Sequence, residues 1–290
     1  MKKQAFLYII LSGVLWGTSG IFVKLLAPFG FSSVQMTFMR GAVSLICMTV
    51  YSLLRNPALF RVTRKEFLLF GVSGLGLFGT ATCYYASMQM TSVSTAVVLM
   101  YTAPVMVMLF SVLFLGEKLT KLKMVSVVCM LVGCGLVSGI IGGLKFHAFG
   151  IALGFLSGIS YGVYNIFTKI QMRKHLSPVS ATLYNFLFIT ALSLFVSNPA
   201  QMLHSTLQNP AATVPLMVGI GLFTCVLPYV FYTLALKELP VGTASALGIV
   251  EPMAATVFSV MLFREPLEIS SLFGIILILG AVFLLSRSDE

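Results

Sequence analysis

Long apolar segments, separated by short polar ones, run along the whole chain. About 20 apolar residues at a rise of ~1.5 Å per residue cross a hydrocarbon layer ~30 Å thick. Strands of a membrane barrel would instead alternate apolar and polar residues over about ten positions. The pattern therefore predicts ten transmembrane helices. They lie near residues 4–26, 33–54, 67–88, 93–115, 123–142, 148–170, 178–196, 212–236, 242–263 and 269–286.

The composition agrees with a membrane location. Apolar residues make up 58% of the chain and charged residues 9%, and the mean hydropathy is +1.02. That leaves too few polar groups to cover a soluble protein. Because backbone groups inside lipid must bond to each other, we expect an all-α integral membrane protein. No connecting segment is long enough to form a separate soluble domain.

The chain contains one unit twice. LSGVLWGTSGIFVK at 11–24 returns as LSGISYGVYNIFTK at 156–169, with 7 of 14 residues identical, and 95–119 likewise resembles 243–267. This predicts two five-helix repeats, residues 1–145 and 146–290. Because five is odd, the second repeat must begin on the opposite side of the membrane. Inverted repeats of this kind are typical of secondary transporters that work by alternating access.

Basic residues indicate the orientation, since cytoplasmic loops are rich in Lys and Arg. With the N-terminus inside, only Lys24, Lys145 and Arg264 fall in outer segments. We therefore predict a multi-pass protein of the plasma (inner) membrane with both termini cytoplasmic. The first segment has no A-x-A cleavage pattern, so we expect it to stay as a helix. The net charge of +10 needs no nucleic acid as a partner.

Several segments resemble a known family. They are the helices around Trp16-Gly17 and Tyr161-Gly162, the basic Arg40 early in the second helix, and the endings APVMVMLFSVLFLGEKL and EPMAATVFSVMLFREPL. Together they resemble the EamA family of the drug/metabolite transporter superfamily over nearly the whole chain. The resemblance implies a ten-helix carrier. Family members export amino acids, drugs and other metabolites, and a few relatives import.

The second half departs from the usual family pattern at two positions. Arg264 stands where the first copy has Gly116, and Asn185 is the counterpart of Arg40. Neither departure changes the expected fold.

Glycine and proline indicate packing and gating. Gly158 and Gly162 form a G-x-x-x-G pair, which allows close helix packing and could also provide a sliding surface. Pro104 and Pro252 occupy corresponding positions in the fourth and ninth helices, and each removes one backbone hydrogen bond. Broken helices at matched positions are typical of a binding site between repeats, although a purely structural kink is the alternative.

Arg40 and Glu251 are the ionisable residues predicted within spans. A charge at mid-membrane costs at least ~2.5 kcal/mol, so each should face a partner or a wet cavity. Arg40 could hold a substrate carboxylate or a structural acid, and Glu251 could bind an ammonium group or carry a proton. The alternative is that Arg40 reaches the outer headgroups and Glu251 caps freed backbone amides.

Polar and aromatic residues at helical spacing suggest a cavity wall, and such a wall suits a small amphipathic solute better than a bare metal ion. The predicted substrate-binding residues are Trp16, Arg40, Tyr84, Tyr101, Tyr161, Asn165, Asn185, Tyr229 and Glu251. The predicted gating residues are Pro104, Pro252, Gly158 and Gly162.

Other chemistry finds little support. The G-x-G-x-x-G at 74–79 lies in an apolar segment, no Walker motif or hydrolase motif occurs, and the three histidines fall in separate loops. The five cysteines lack metal-binding spacing. We expect no metal, no cofactor and no enzymatic activity.

The sequence thus predicts a secondary transporter of small organic metabolites such as amino acids, working by alternating access as an exporter. One alternative is a proton- or potential-driven importer of a small metabolite, for example a cationic one. Protons are the candidate coupling ion. An alternative of another class is an intramembrane lipid-modifying enzyme. The expected partners are a small-molecule substrate and the lipid bilayer.

Overall fold

The computed structural model describes residues 2–91, 96, 99–137, 147–264 and 269–288. These residues form fourteen α-helices and no strand. The helices are α1 (Lys2–Gly17), α2 (Ser19–Leu26), α3 (Ser33–Arg55), α4 (Arg64–Met90), α5 (Ala103–Leu115), α6 (Lys121–Val137), α7 (Ala148–Arg173), α8 (Pro178–Leu194), α9 (Pro199–Gln208), α10 (Pro210–Gly221), α11 (Leu227–Glu238), α12 (Val241–Leu247), α13 (Val250–Phe263) and α14 (Ile269–Ser288).

Six helical segments among the described residues are long and apolar enough to cross a membrane. They are Lys3–Leu26, Val34–Arg55, Arg64–Tyr84, Ala148–Arg173, Pro210–Glu238 and Val241–Phe263. A bent pair, α8 with α9, would be a seventh. The protein is therefore a multi-pass, all-helical membrane protein, as the hydropathy pattern predicts. The ten spans in two inverted repeats stay a prediction. The repeat boundary at 145–146 and parts of 93–115 and 123–142 lie outside the described residues.

The starts and ends of several helices follow from local capping. Ser32 and Gln35 form a capping box at the start of α3, and Thr63 and Glu66 form another at the start of α4. At the end of α5, Gly116 has a φ of 66°, which is the left-handed conformation that favours glycine. Arg264 has a φ of 54° at the end of α13. The departure noted in the sequence thus places an arginine in a conformation that costs L-residues energy.

Contacts between helices occur in matched pairs. Helix α1 packs on α11 and α13, and α7 packs on α4 and α5. Helices α3 and α8 pack on each other, as do α6 and α14. If α1 of the first copy corresponds to α7 of the second, each of these contacts has its counterpart.

Glycines bring some of these helices into backbone contact. A Cβ atom on Gly76 of α4 would lie 2.8 Å from the backbone nitrogen of Tyr164, and one on Gly17 would lie 2.9 Å from that of Ala255. Such distances leave no room for a side chain. Small residues thus allow close packing in the absence of a hydrophobic driving force.

Candidate functional site

A cavity of about 460 Å³ lies between the helices of the two sequence copies. This volume falls in the range of small-molecule binding sites, roughly 300–1,000 Å³. Nine of the thirteen residues predicted as binding or gating residues line it. They are Trp16, Arg40, Tyr84, Tyr101, Pro104, Tyr161, Tyr229, Glu251 and Pro252.

Two helix breaks border the cavity at matched positions. Residues 101–102 form a turn immediately before α5, and residues 248–249 form a turn between α12 and α13. Pro104 and Pro252 lie in the first turns of the helices that follow. The carbonyl of Gly248, which Pro252 cannot bond, instead accepts a hydrogen bond from the backbone N–H of Glu251 at 3.0 Å. The break at Gly248 is thus short, and its carbonyl is satisfied within the protein.

Glu251 projects a carboxylate into this region. Its Oε2 accepts a hydrogen bond from the hydroxyl of Tyr101 at 2.8 Å. Tyr101 comes from the first sequence copy and Glu251 from the second, so the bond joins the two halves. The acid is therefore held by a cavity-lining hydroxyl, which differs from the alternative in which it caps freed amides.

Arg40 supplies a cation to the same cavity. Its side chain is half-buried and lines the cavity together with that of Glu251. The arrangement favours a cavity-facing arginine over one that reaches the headgroups. One cation and one anion thus share a site whose remaining lining is mostly apolar.

Aromatic rings form one wall of the site. The ring of Trp16 packs edge-on against Tyr229, with centroids 5.2 Å apart, and lies 5.4 Å from that of Tyr232. The ring of Phe186 also packs edge-on against that of Tyr229, with centroids 5.3 Å apart. The indole nitrogen of Trp16 is buried and has no hydrogen-bond partner within the described part of the chain. The wall therefore provides flat apolar surface, and the Trp16 N–H beside it is a donor without a partner among the described residues.

Four predicted residues lie outside the cavity lining. The side chain of Asn165 accepts a hydrogen bond from the hydroxyl of Tyr232 and donates one to the carbonyl of Tyr161 at 2.7 Å, so it supports the aromatic wall from behind. Asn185 accepts a hydrogen bond from Ser73 at 2.6 Å and belongs to a buried network between α4 and α8.

Gly158 and Gly162 pack against α5. A Cβ atom on Gly158 would lie 3.4 Å from Thr102 Oγ1, and one on Gly162 would lie 3.4 Å from the ring of Phe110. These are ordinary contact distances. The tight part of the glycine stripe lies earlier in α7, where a Cβ atom on Gly154 would lie 2.5 Å from Leu99.

Several small and polar residues of the lining were not predicted from the sequence. They are Gly20, Thr37, Thr80, Ser245 and Thr256. Thr37 precedes Arg40 by three residues, Thr80 precedes Tyr84 by four, and Thr256 follows Pro252 by four. Residues spaced by three or four share a helix face, so this spacing was a usable signal.

Polar contacts hold one end of the bundle together, and we call these residues the end clamp. The Nζ of Lys169 donates to the carbonyls of Leu236 at 2.6 Å and Leu239 at 2.5 Å, at the end of α11. The carboxylate of Glu117 accepts from the N–H of Val241 at 2.9 Å, at the start of α12. A cation thus binds a helix C-terminus and an anion binds the next N-terminus, as helix dipoles favour.

The end clamp lies beyond one end of the cavity. Along α12 and α13 the cavity lining runs from Ser245 to Thr256, whereas the clamp holds Val241. Along α7 the lining includes Tyr161, and Lys169 follows eight residues later, about 12 Å away at ~1.5 Å per residue. The cavity therefore occupies the half of the bundle away from the clamp.

The description "EamA-like transporter family" belongs to a family model that matches this chain twice, at residues 3–139 and 148–287. The chain belongs to the EamA-like transporter family. This family is part of the drug/metabolite transporter superfamily, so the resemblance seen in the sequence is confirmed.

Curated relatives of this EamA protein match along nearly their whole length. An "Uncharacterized transporter" of Archaeoglobus fulgidus is 29% identical over 96% of this chain and 95% of its own. An "Uncharacterized transporter" of Clostridium kluyveri is 24% identical over 99% of this chain and 95% of its own. "Uncharacterized transporter YetK" of Bacillus subtilis is 24% identical over 98% of this chain and 87% of its own. Family and relatives support a membrane transporter rather than an enzyme.

A solved structure, titled only "Crystal structure of protein", has the same fold. It superposes with a TM-score of 0.82 over 100% of both chains, at 17% sequence identity. At this identity the similarity establishes the fold of this EamA protein and nothing about its substrate.

Proposed function

We propose that this EamA protein is a secondary transporter that exports small organic metabolites, amino acids or similar amphipathic solutes, across the plasma membrane by alternating access. The observation that carries the proposal is the cavity of about 460 Å³ that combines Arg40, Glu251 and an aromatic wall. Arg40 would bind a carboxylate, Glu251 would bind an ammonium group, and the rings would contact an apolar side chain.

A zwitterion suits these charges and also suits export. Each net charge that crosses the membrane is worth ~2.3 kcal/mol per 100 mV, so a cation tends to move inward unless it is coupled to protons. A zwitterion carries no net charge and can leave the cell down its concentration gradient. Arg40 and Glu251 together neutralise both ends of such a solute.

Ten helices in two inverted repeats would provide the two alternating states. The family model matches each half separately, the helix contacts occur in matched pairs, and the helix breaks lie at corresponding positions. The end clamp would close one side while the cavity is accessible from the other. The excess of Lys and Arg in alternate loops supports cytoplasmic termini.

Accessibility labelling tests the inverted topology. In a variant without the five native cysteines, Pro28→Cys follows α2 and Lys174→Cys follows α7. An impermeant thiol reagent added to intact cells should label only the first. Labelling of both from the same side would contradict inverted repeats.

Flux through proteoliposomes tests the function. A mixture of amino acids is loaded inside, and release is measured with and without a pH gradient. We expect saturable release without chemical change, and strong loss in Arg40→Met and Glu251→Gln. Arg61→Met, an exposed arginine outside the cavity lining, is the matched control and should behave like the unmodified protein.

The alternatives give different results in this assay. Accumulation driven by a pH gradient or a membrane potential would favour the importer, and its strict dependence on protons would identify the coupling ion. Chemical change in the solutes or lipids would favour the enzyme. Unchanged release in both cavity variants would refute the proposed site.

A further inference from the structure

One glycine of the cavity lining has no packing reason to be glycine. Gly17, Gly20 and Gly41 all line the cavity. A Cβ atom on Gly17 would lie 2.8 Å from the Cβ of Ala254, and one on Gly41 would lie 2.9 Å from Thr190 Oγ1. A Cβ atom on Gly20 would meet no described atom within 4 Å. Close helix packing therefore explains the first two glycines and leaves Gly20 unexplained.

The backbone conformation does not require glycine at this position either. Gly20 lies in the first turn of α2, and its φ is outside the left-handed region, unlike that of Gly30 at 75°. Glycine in a helix is less stable than alanine by roughly 0.5–1 kcal/mol. A side chain here would fit the helix and clash with nothing described, so the reason for glycine lies in the space next to it.

That space belongs to the cavity beside the aromatic wall. Gly20 follows Trp16 by four residues across the turn at Thr18, where α1 ends and α2 begins, and precedes Val23 by three on α2. All three line the cavity. A side chain at position 20 would therefore enter the cavity that Trp16 also lines, in the volume that an apolar group of the substrate would occupy.

We infer that Gly20 sets the upper size limit for the substrate's apolar side chain. This inference rests on the proposed function, because it assigns the space between Trp16 and Gly20 to the solute's side chain and the charges of Arg40 and Glu251 to its ends. The class of ligand is a zwitterion with a bulky apolar or aromatic side chain. Filling the space would exclude large solutes before small ones.

The first experiment is a flux series with alanine, valine, leucine and phenylalanine in proteoliposomes. Gly20→Ala and Gly20→Leu are compared with Gly280→Leu, because Gly280 also has open space around it but lies outside the cavity lining. We expect Gly20→Leu to reduce phenylalanine flux at least about tenfold more than alanine flux, as overpacking of a filled site would. Gly20→Ala should also reduce phenylalanine flux more than alanine flux, but by a smaller factor. Gly280→Leu should preserve the size preference.

Two outcomes of the flux series would overturn the inference. An equal loss for all four solutes would make Gly20 a hinge between α1 and α2 instead of a size limit. An unchanged preference would show that the space at Gly20 is not used by the side chain.

A second measurement does not depend on knowing the substrate. Trp16 is the chain's only tryptophan, so its fluorescence reports on this wall alone. Acrylamide, a small neutral quencher, should quench Trp16 less in Gly20→Leu than in the unmodified protein or in Gly280→Leu. Equal quenching in all three would overturn the inference. If none of the amino acids is transported, the proposed function fails, and the quenching result still decides whether a side chain at position 20 restricts access to Trp16.

Discussion

Replacing Lys169 by methionine removes the cation of the end clamp while keeping a side chain of similar length. In the unmodified protein, the Nζ atom of Lys169 donates hydrogen bonds to two carbonyls, that of Leu236 at 2.6 Å and that of Leu239 at 2.5 Å. Both leucines are fully buried, so water cannot replace the lost partner. The substitution therefore leaves two acceptors of a helix C-terminus unsatisfied.

The size of the effect follows from these contacts. An unsatisfied buried acceptor costs about 1–3 kcal/mol, so two cost roughly 2–6 kcal/mol. Part of this is offset because a buried ammonium group no longer has to be desolvated. We expect a loss of about 2 kcal/mol, which corresponds to a decrease in Tm of roughly 4–8 °C for a chain of this size.

Scanning fluorimetry in detergent measures the shift. Lys174→Met is the matched control, because this exposed lysine follows the same helix, and its substitution should change Tm very little. Melting of Lys169→Met within 1 °C of the control would refute the clamp. The double variant with Glu117→Gln adds a second check, since residues that hold the same turn should be non-additive by about 0.5–3 kcal/mol.

Four further substitutions test other parts of the structure. Arg264→Gly should raise stability by about 1 kcal/mol, because it relieves a left-handed arginine where the first copy has Gly116; an unchanged or lower Tm would contradict this. Tyr101→Phe removes the 2.8 Å hydrogen bond to Glu251 and keeps the ring, so transport should fall several-fold, roughly the effect of ~1–2 kcal/mol; full activity would count against it. If Glu251 carries a proton, Glu251→Gln should abolish the pH dependence of flux, and a retained dependence would exclude it as the coupling group. Gly76→Leu should abolish the monodisperse peak in size-exclusion chromatography, because its Cβ would lie 2.8 Å from a backbone nitrogen of α7; a normal peak would disprove the close contact.

Hydropathy predicts the helices well where a span is apolar to its ends. The second predicted span, 33–54, agrees with α3 at Ser33–Arg55. The third starts at 67 by hydropathy, but α4 begins at Arg64, because the Thr63 capping box makes a polar first turn helical. The eighth, 212–236, contains a five-residue π-helical segment, Leu222–Val226, that an apolar pattern does not encode.

The lining residues that the sequence predicts correctly are those whose type is costly inside a membrane span. A charge or a proline inside a span needs a local reason, and Arg40, Glu251, Pro104 and Pro252 all line the cavity. The prediction that Asn165 lines the cavity rests on helical spacing alone. Spacing identifies a face, but the rotation of α7 against its neighbours decides whether that face meets the cavity or another helix. No sequence pattern indicates that Gly20 lines the cavity, because the open space beside it involves no other residue.

The hydrogen bond from Tyr101 to Glu251 has its two ends on different halves of the molecule. The bond therefore links the two halves, and it must break if they separate beside Glu251. A solute with its own ammonium group competes with the tyrosine for the same carboxylate and so weakens this link as it binds. Recognition of the cargo and release of the two halves would then be a single event.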